Sequence, residues 1–524
     1  MVPGAAYEAW VVIVLGECRT GMSRLVGAAF VLSVVAFGSS SCASAAAPPK
    51  HPDPPPATRA PLAARAESAP PGTSVLAGAP DTLAAGAARA LFSSAPVVVV
   101  ADARHSTAVS AAALQAGLAH APLLLATGAR VGGATRTEIG SLRPRTVLAV
   151  GVARKALAAQ LPGTRVVTRL AALPSTSALP PLGHVVVLVP RASAGAELAA
   201  VTTAQAAGAQ VITLHGHDPR ANPAAIRALS AARPQRVIAL GAGFRPVRRL
   251  RARLAVAETG VQLPGGGEVL FPMRRLVALY GHPGTPALGV LGQQDLPASI
   301  ARAKKTAARY RRLSKTPVIP AFEIIATVAE GSPGPDGSYS YQTPLAALLP
   351  WVRRASRAGM YVVLDLQAGR ASLLTQAKEY EPILALPNVG LALDPEWKLQ
   401  TGQRPLRQIG SVTAREVNSV GDWLAGLTAR QHLPQKLFVL HQFQLSMIGN
   451  ENRIDTRHDD LAIVIHMDGQ GTPTDKQQTW QAVTGAAPRR VFFGWKNFYV
   501  KDHPMLSPRQ TMARTPKPVM ISYQ

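Results

Sequence analysis

Residues 389–396 read VGLALDPE, an apolar run of five residues followed by Asp394 and Glu396 on either side of a proline. Because alternate side chains of a β-strand point to the same face, Asp394 and Glu396 share one face if the strand continues regularly. The same arrangement recurs at residues 363–367, where an apolar run carries Asp365 and Gln367. The fold is therefore predicted from buried strands that end in polar groups.

Comparable apolar runs recur after a Pro-Gly-rich break at residues 264–267. Seven strand-like runs alternate mostly with stretches of helical length: 276–280, 317–325, 360–366, 389–393, 436–440, 461–465 and 490–493. A possible short eighth strand covers residues 408–412. Seven or eight strands over about 250 residues fit a (β/α) barrel better than an open sheet. The sequence thus predicts an α/β chain with a (β/α)-barrel-like domain at residues 268–524.

Polar side chains follow strand after strand, and in a barrel these strand ends meet at one mouth, where active sites of this fold lie. Carboxylates on neighbouring strands suit glycoside hydrolysis, in which one acts as acid and its partner as base or nucleophile. We predict four catalytic carboxylates, with the pair at 394 and 396 as the most important: Asp365, Asp394, Glu396 and Asp468. The predicted substrate-binding residues are Tyr280, Glu323, Gln367, Trp397, His441 and Trp495, with the three aromatic rings as sugar-stacking surfaces.

Other interpretations of these residues stay open. The two carboxylates of the DPE sequence could instead cap the following helix, because acidic residues favour helix N-termini. His441 and His466 could be ordinary core histidines, or they could bind a divalent ion together with Asp365 or Asp468. No His-x-x-x-His or comparable spacing favours a metal, so neither a metal nor another cofactor is predicted.

The N-terminal half contains one pattern twice, at residues 97–168 and 185–258. VVVV at 97–100 aligns with VVVL at 185–188, APLLL at 121–125 with AQVIT at 209–213, and RPRTVLAVG at 143–151 with RPQRVIALG at 233–241. Each copy reads strand, helix, strand, helix, strand, with runs that fit buried parallel strands. Tandem α/β units are therefore predicted within residues 83–262. Their loops lack the glycine pattern that holds a dinucleotide.

These units resemble the type 2 cell-wall-binding repeats of Gram-positive surface proteins. The resemblance rests on the strand before Asp102, the SAAA helix at 110–113, the APLLL strand and the strand that ends at Gly151. It implies attachment to a cell-wall glycan or an anionic wall polymer, whereas a scaffold that positions its neighbour is the alternative. Residues 363–370 and 390–397 look like the barrel of uncharacterised envelope proteins that carry such repeats. They are also similar to glycosidase barrels, at the level of fold only.

Residues 22–42 have the three parts of a secretory signal: a basic start, an apolar stretch, and small residues before Cys42. Met22 is therefore the predicted start, and residues 1–21 are an extension. Cys42 resembles the lipobox cysteine of bacterial lipoproteins, which is acylated and anchors the chain to the membrane; plain cleavage and an uncleaved anchor are the alternatives. Residues 43–82 are rich in Pro and Ala and are predicted to form an extended, disordered stalk.

The net charge of +26 would draw the protein toward anionic polymers, and a dispersed basic surface is the competing interpretation. The most basic run lacks interleaved aromatic residues, so no nucleic-acid partner is expected. Both cysteines, Cys18 and Cys42, precede the predicted domains, which excludes a disulfide framework in them.

These features together predict an exported, lipid-anchored protein of the cell envelope, at the outer face of the cytoplasmic membrane or in the wall. Its repeats would bind wall polymer, and its barrel would be glycoside-hydrolase-like. A non-catalytic polysaccharide-binding protein and a metal-dependent envelope hydrolase are the two alternatives.

Overall fold

The computed structural model describes residues 60–191 and 197–524. The predicted extension at 1–21, the signal peptide at 22–42, the lipidation of Cys42 and the first part of the stalk lie outside the described residues. Among the residues that are described, no helix is both long and apolar enough to cross a membrane.

Residues 60–262 contain two parallel sheets of four strands each. The strands of the first sheet are, in spatial order, Leu123–Ala126, Val97–Asp102, Thr146–Val150 and Arg165–Val167. The strands of the second sheet are, in spatial order, Ala209–Leu214, Leu182–Pro190, Arg236–Leu240 and Gly72–Leu76. Val97–Asp102 is buried along its whole length, as expected of a central strand in a sheet that is covered on both faces.

The strand Gly72–Leu76 corrects the predicted boundary of the stalk. It pairs in parallel with every residue of Arg236–Leu240 at the edge of the second sheet. Two shorter pairings also involve this part of the chain: Leu62–Ala63 with Thr176–Ser177, and Arg65–Ala66 with Phe92–Ser94. The prediction of a stalk up to residue 82 is therefore wrong for residues 60–82, because partners distant in the sequence bind these short strands.

The two sheets share one apolar core. Helices connect their strands: Pro80–Leu91, Ser106–Leu118, Gly133–Leu142, Arg154–Gln160, Leu198–Ala206, Pro223–Ala232 and Val247–Ala257. Residues of Pro80–Leu91 and Leu198–Ala206 belong to the same cluster as residues from strands of both sheets. The Thr203 hydroxyl reinforces this packing, since it accepts a hydrogen bond from the Leu123 amide at 3.0 Å and donates to the Leu123 carbonyl at 3.2 Å.

Residues 268–524 contain a closed barrel of eight parallel strands. The first to eighth barrel strands are, in chain order, Arg275–Gly281, Val318–Ala329, Tyr361–Leu366, Val389–Leu393, Lys436–Gln442, Leu461–Met467, Phe492–Asn497 and Met520–Tyr523. The barrel closes because the first strand pairs with both the second and the eighth. The short strand Ser340–Gln342 adds to the second strand in the antiparallel direction.

All seven predicted strands are present, but the predicted eighth strand at residues 408–412 is wrong. Only Val412 of that stretch is in a strand, Val412–Thr413, which pairs with Ile448–Gly449 outside the barrel. The eighth barrel strand is Met520–Tyr523, which is held between the first and seventh strands. Its four residues are too few to give a pattern without those partners.

Apolar side chains pack on both faces of the barrel wall. Helices follow most of the strands on the outside: Leu296–Ala308, Leu345–Arg357, Leu373–Glu379, Glu381–Leu384, Ala414–Arg430, Pro473–Ala486 and Pro508–Met512. Outward-pointing side chains such as Phe322 and Leu364 join the cluster that includes these helices. Inward-pointing side chains such as Leu276, Ala321 and Val439 fill the lower interior. The polar residues at the strand ends therefore lie above a packed apolar core.

Residues 60–262 contact the amino-terminal end of the barrel. Asp459, two residues before the sixth strand, binds Arg220 Nη2 at 2.8 Å and Arg253 Nη2 at 2.7 Å. The Glu268 amide donates to the Arg220 carbonyl at 2.8 Å, and the Glu268 carbonyl accepts from the amide of Gln435, directly before the fifth strand, at 2.8 Å. The carboxyl ends of the strands, where the predicted site lies, are at the opposite end of the barrel.

Candidate active site at the carboxyl end of the barrel

A cavity of about 340 Å³ opens at the carboxyl ends of the barrel strands. Six predicted site residues line it: Tyr280, Gln367, Asp394, Glu396, Trp397 and Asp468. Other side chains complete the wall, among them Phe443, Lys496, Phe498 and Lys501. The strand-end rule thus correctly brings together residues from four barrel strands and the loops that follow them.

Asp394 and Glu396 reach the cavity through a turn and not through a longer strand. The fourth strand ends at Leu393, and Pro395–Trp397 forms a short 3-10 turn. Asp394 occupies the position before this turn, but its side chain makes no capping hydrogen bond. The helix-cap interpretation is therefore wrong for Asp394, whose carboxyl is 2% exposed and points toward the cavity.

Four fully or nearly buried charged groups form a chain beneath and beside the cavity. His441 Nε2 lies 3.0 Å from Glu323 Oε1, and His441 Nδ1 lies 3.2 Å from Asp468 Oδ2. Lys496 Nζ lies 3.1 Å from Asp468 Oδ1. Two carboxylates thus alternate with two cations, so the chain of groups is balanced in charge. This arrangement is how a protein interior tolerates charges away from water.

Opposite charges determine the ionisation of this chain. Burial opposes the charged form of Asp468, but Lys496 and His441 together hold its pKa well below its usual range. Burial likewise opposes ionisation of Glu323, yet the adjacent His441 lowers the pKa of that carboxyl. Burial disfavours the imidazolium, but Glu323 and Asp468 raise the pKa of His441 well above its ordinary value. Asp468 is therefore an ionised carboxylate at the cavity wall.

The other carboxyls of the site are shifted in the opposite direction. Burial raises the pKa of Asp394 well above its ordinary value, and the neighbouring Asp365 raises it further. Burial also raises the pKa of Glu396, with a contribution from Asp468. The pKa of Asp365 rises to about 6, mainly because of burial. Burial and the neighbouring carboxyl thus favour the protonated form of Asp394, while the surroundings of Asp468 on the same cavity favour its ionised form.

Tyr280 lies between Asp365 and Lys496 and contacts both. Its hydroxyl donates a 2.7 Å hydrogen bond to Asp365 Oδ2 and accepts one from Gln367 Nε2 at 3.3 Å. Lys496 Nζ lies 3.4 Å from the centre of its ring. Because the ammonium covers this face of the ring, Tyr280 supports the site and does not offer that face to a sugar.

Four of the ten predicted site residues do not line the cavity: Glu323, Asp365, His441 and Trp495. The first three are completely buried, so their predicted direct roles toward a substrate are wrong. Trp495 is fully buried, its ring packs 5.5 Å from that of Trp480, and its indole N–H donates to Asn497 Oδ1 at 3.0 Å. It does not line the cavity, so its predicted role as a sugar-stacking surface is wrong. His466 is buried next to His441 and lies 3.2 Å from the Ser522 hydroxyl. Burial lowers its pKa to about 3, which agrees with the core-histidine interpretation of this residue.

Lys496, at the end of the seventh strand, is the cation next to Asp468. The strand-end pattern places Lys496 at the mouth of the barrel, although no catalytic or binding role was predicted for it. Its support was not predictable: Lys476 Nζ binds Asp502 Oδ2 at 2.6 Å and donates to the Lys496 carbonyl at 2.7 Å. This buried pair fixes the backbone that carries the lysine.

The described parts of the chain contain no group of three or more His, Cys, Asp or Glu side chains arranged to hold a metal ion. His441 has a carboxylate at each ring nitrogen, so neither nitrogen is directed at an open coordination position.

A comparison with protein-family profiles, curated proteins and solved structures found no match to this chain. The geometry and ionisation of the site therefore carry the functional argument.

Proposed function

We propose that the barrel is a glycoside hydrolase acting on a glycan of the cell envelope. One observation carries this proposal: two carboxyl groups, Asp394 and Asp468, line one cavity, and their surroundings shift their pKa values in opposite directions. Environments that separate the pKa values of two carboxyls in one site are the usual basis for dividing acid and base roles between them. Glycosidic bonds are cleaved by such a pair.

In this mechanism Asp394 donates its proton to the glycosidic oxygen as the bond to the anomeric carbon breaks. Asp468 acts on the opposite side, either by taking a proton from an attacking water or by bonding to the anomeric carbon itself. Lys496 and His441 keep Asp468 ionised until then. Glu396 also has a raised pKa and lies nearer the opening, where it is the second candidate for the acid.

The remaining parts of the proposal concern location. The two sheets of residues 60–262 would be tandem units that bind a cell-wall glycan or anionic wall polymer, as the resemblance to cell-wall-binding repeats implies. Acylation of Cys42 would anchor the exported chain to the outer face of the cytoplasmic membrane. The high positive charge supports an anionic partner at the surface.

The experiment is digestion of purified cell-wall glycans by the full chain, with release of reducing ends as the readout. Asp394→Asn and Asp468→Asn should each lower turnover by roughly a hundredfold or more, since acid–base groups contribute that much. Glu379→Gln, an exposed carboxylate on the outer helix Leu373–Glu379, is the matched control and should retain full activity.

Other outcomes would identify the alternatives. Binding of glycan without release of reducing ends by the parent protein would indicate a non-catalytic binding module. Activity that a chelator abolishes and a divalent ion restores would indicate a metal-dependent hydrolase.

A further inference from the structure

A second cavity of about 330 Å³ adjoins the first at the mouth of the barrel. Its lining consists of Glu396, Trp397, Leu406, Arg407, Gln408 and Ile409. The first three of these also line the first cavity. The two spaces are therefore compartments of one cleft, and Glu396 and Trp397 form the boundary between them.

The loop of residues 399–411, which forms the outer wall of the second compartment, is firmly attached to the barrel. The Leu399 amide donates to the Gly369 carbonyl at 2.8 Å, and Arg370 Nη2 donates to the Gln403 carbonyl at 2.7 Å. The Gly410 amide donates to the Glu396 carbonyl at 2.7 Å. A Cβ at position 410 would lie 2.3 Å from the Lys398 carbonyl oxygen, so this close approach requires glycine.

Leu406, at the tip of this loop, has a backbone conformation and an exposure that packing does not explain. Leu406 adopts a φ of 62°, in the left-handed region, and leaves 83% of its surface exposed beside the cleft. Residues in sparsely populated backbone conformations are concentrated at functional sites. The charged residues of the loop, Arg404 and Arg407, are both cationic and exposed. Lys501 adds a third cation at the rim of the first compartment.

We propose that the cleft binds a linear acidic glycan across both compartments and that the barrel cleaves it internally. This inference rests on the proposed function and adds the class of substrate. The reacting bond lies above Asp394 and Asp468 in the first compartment, and the next units of the chain continue over Trp397 into the second. A cleft that extends beyond the reacting groups holds further units of a chain, which favours cleavage away from the chain end.

The residues of the second compartment match such a ligand chemically. Trp397 is partly exposed and offers an aromatic face to a sugar ring. The guanidinium of Arg407 can pair with a carboxylate or phosphate group in two parallel hydrogen bonds, which a lysine cannot do. Arg407 and Lys501 lie at the rim while Asp394 and Asp468 lie at the base, so the charged groups of the substrate would bind away from the reacting bond.

The test uses the full chain and an acidic wall-polysaccharide fraction that the parent protein digests. Chromatography by size follows the products with time. We expect products of intermediate length early in the reaction. Arg407→Gln should raise KM by about tenfold, which corresponds to about 1.4 kcal/mol, and Arg407→Lys should recover part of the loss. Trp397→Ala should weaken binding, whereas Trp397→Phe should retain most of it. Arg430→Gln, an exposed arginine at the end of helix Ala414–Arg430, is the matched control.

The outcomes separate this inference from the function on which it rests. If the parent protein releases only single sugars from chain ends, or if Arg407→Gln behaves as Arg430→Gln does, the two-compartment inference is wrong while hydrolysis stands. If no glycan fraction is cleaved, the proposed hydrolysis fails. If the acidic fraction binds in a way that depends on Arg407 but is not cleaved, the proposed acidic ligand is supported and the proposed internal cleavage is wrong.

Discussion

Glu323 and His441 form a fully buried ion pair, with 3.0 Å between Oε1 and Nε2. His441 in turn contacts Asp468, which lines the cavity. Through His441, Glu323 affects the ionisation of a carboxylate that it does not contact. This indirect connection leads to the first prediction.

Glu323→Gln should shift the acid limb of the pH profile of kcat/KM to higher pH, by on the order of one unit. Without the anion, His441 loses its proton more readily, so Asp468 loses one of the two cations that lower its pKa. The base then needs a higher pH to be ionised. The shift would be measured from kcat/KM at a series of pH values.

Glu323→Asp, which keeps the charge, is the control for this shift and should move the profile less. A lower kcat at an unchanged pH profile would mean that Glu323 has a purely structural role.

Asp394→Asn should abolish most turnover without lowering the melting temperature at pH 7. The pKa of Asp394 in the folded state lies well above its ordinary value of 3.8, so its contribution to stability is complete below about pH 3.8 and is lost as the pH rises toward the folded-state pKa. Asparagine does not ionise, so the variant does not lose this stability as the pH rises. Melting temperatures at pH 4 and pH 7 measure the difference, and the variant should melt higher than the parent at pH 7 only. A loss of several degrees at both pH values would indicate that the carboxyl is structural.

Glu268→Gln should stabilise the protein at pH 8 more than at pH 5. Glu268 is completely buried at the contact between residues 60–262 and the barrel, and burial raises its pKa to about 8. Stability from this group is therefore present below pH 4.5 and decreases as the pH rises to about 8. At about 1.4 kcal/mol per unit of pKa shift, the effect should reach several degrees in the melting temperature. Equal effects at both pH values would contradict the raised pKa of Glu268. Glu379→Gln is the control for the loss of a charge alone.

If the proposed export and lipid anchor are right, Cys42→Ala should release the protein from the membrane fraction. If Cys42 is acylated, its loss removes the lipid anchor, and no described helix is suited to span the bilayer in its place. Fractionation of cells and sequencing of the N-terminus measure the result. A protein that stays membrane-bound with an unchanged N-terminus would disprove the anchor.

The strands of the barrel were predictable because each buries both faces and so appears as an apolar run. Val389–Leu393 matches its predicted bounds, and the other six predicted strands differ by a few residues at their ends. Gly72–Leu76 and Met520–Tyr523 escaped the prediction, since each is a short strand whose hydrogen-bond partners lie far away in the sequence.

The composition of the candidate site was also largely predictable. Parallel strands of a closed barrel bring their carboxyl ends together, so Asp394, Glu396 and Asp468 had to lie near one another. The same rule failed for Trp495, because it gives the end of a strand and not the direction in which a side chain packs. Nothing in the chain order indicated the loop that carries Leu406 and Arg407 to the second compartment.

The sequence by itself determined the α/β class, seven of the eight barrel strands and the set of carboxyls at their ends, because alternation and burial are local properties of a chain. Only the tertiary structure decided which carboxyl is ionised. Asp468 lies between Lys496 and His441, while Asp394 is buried close to another carboxyl. The energy of a charge depends on distances to groups that are tens or hundreds of residues away, and those distances exist only after the barrel has closed.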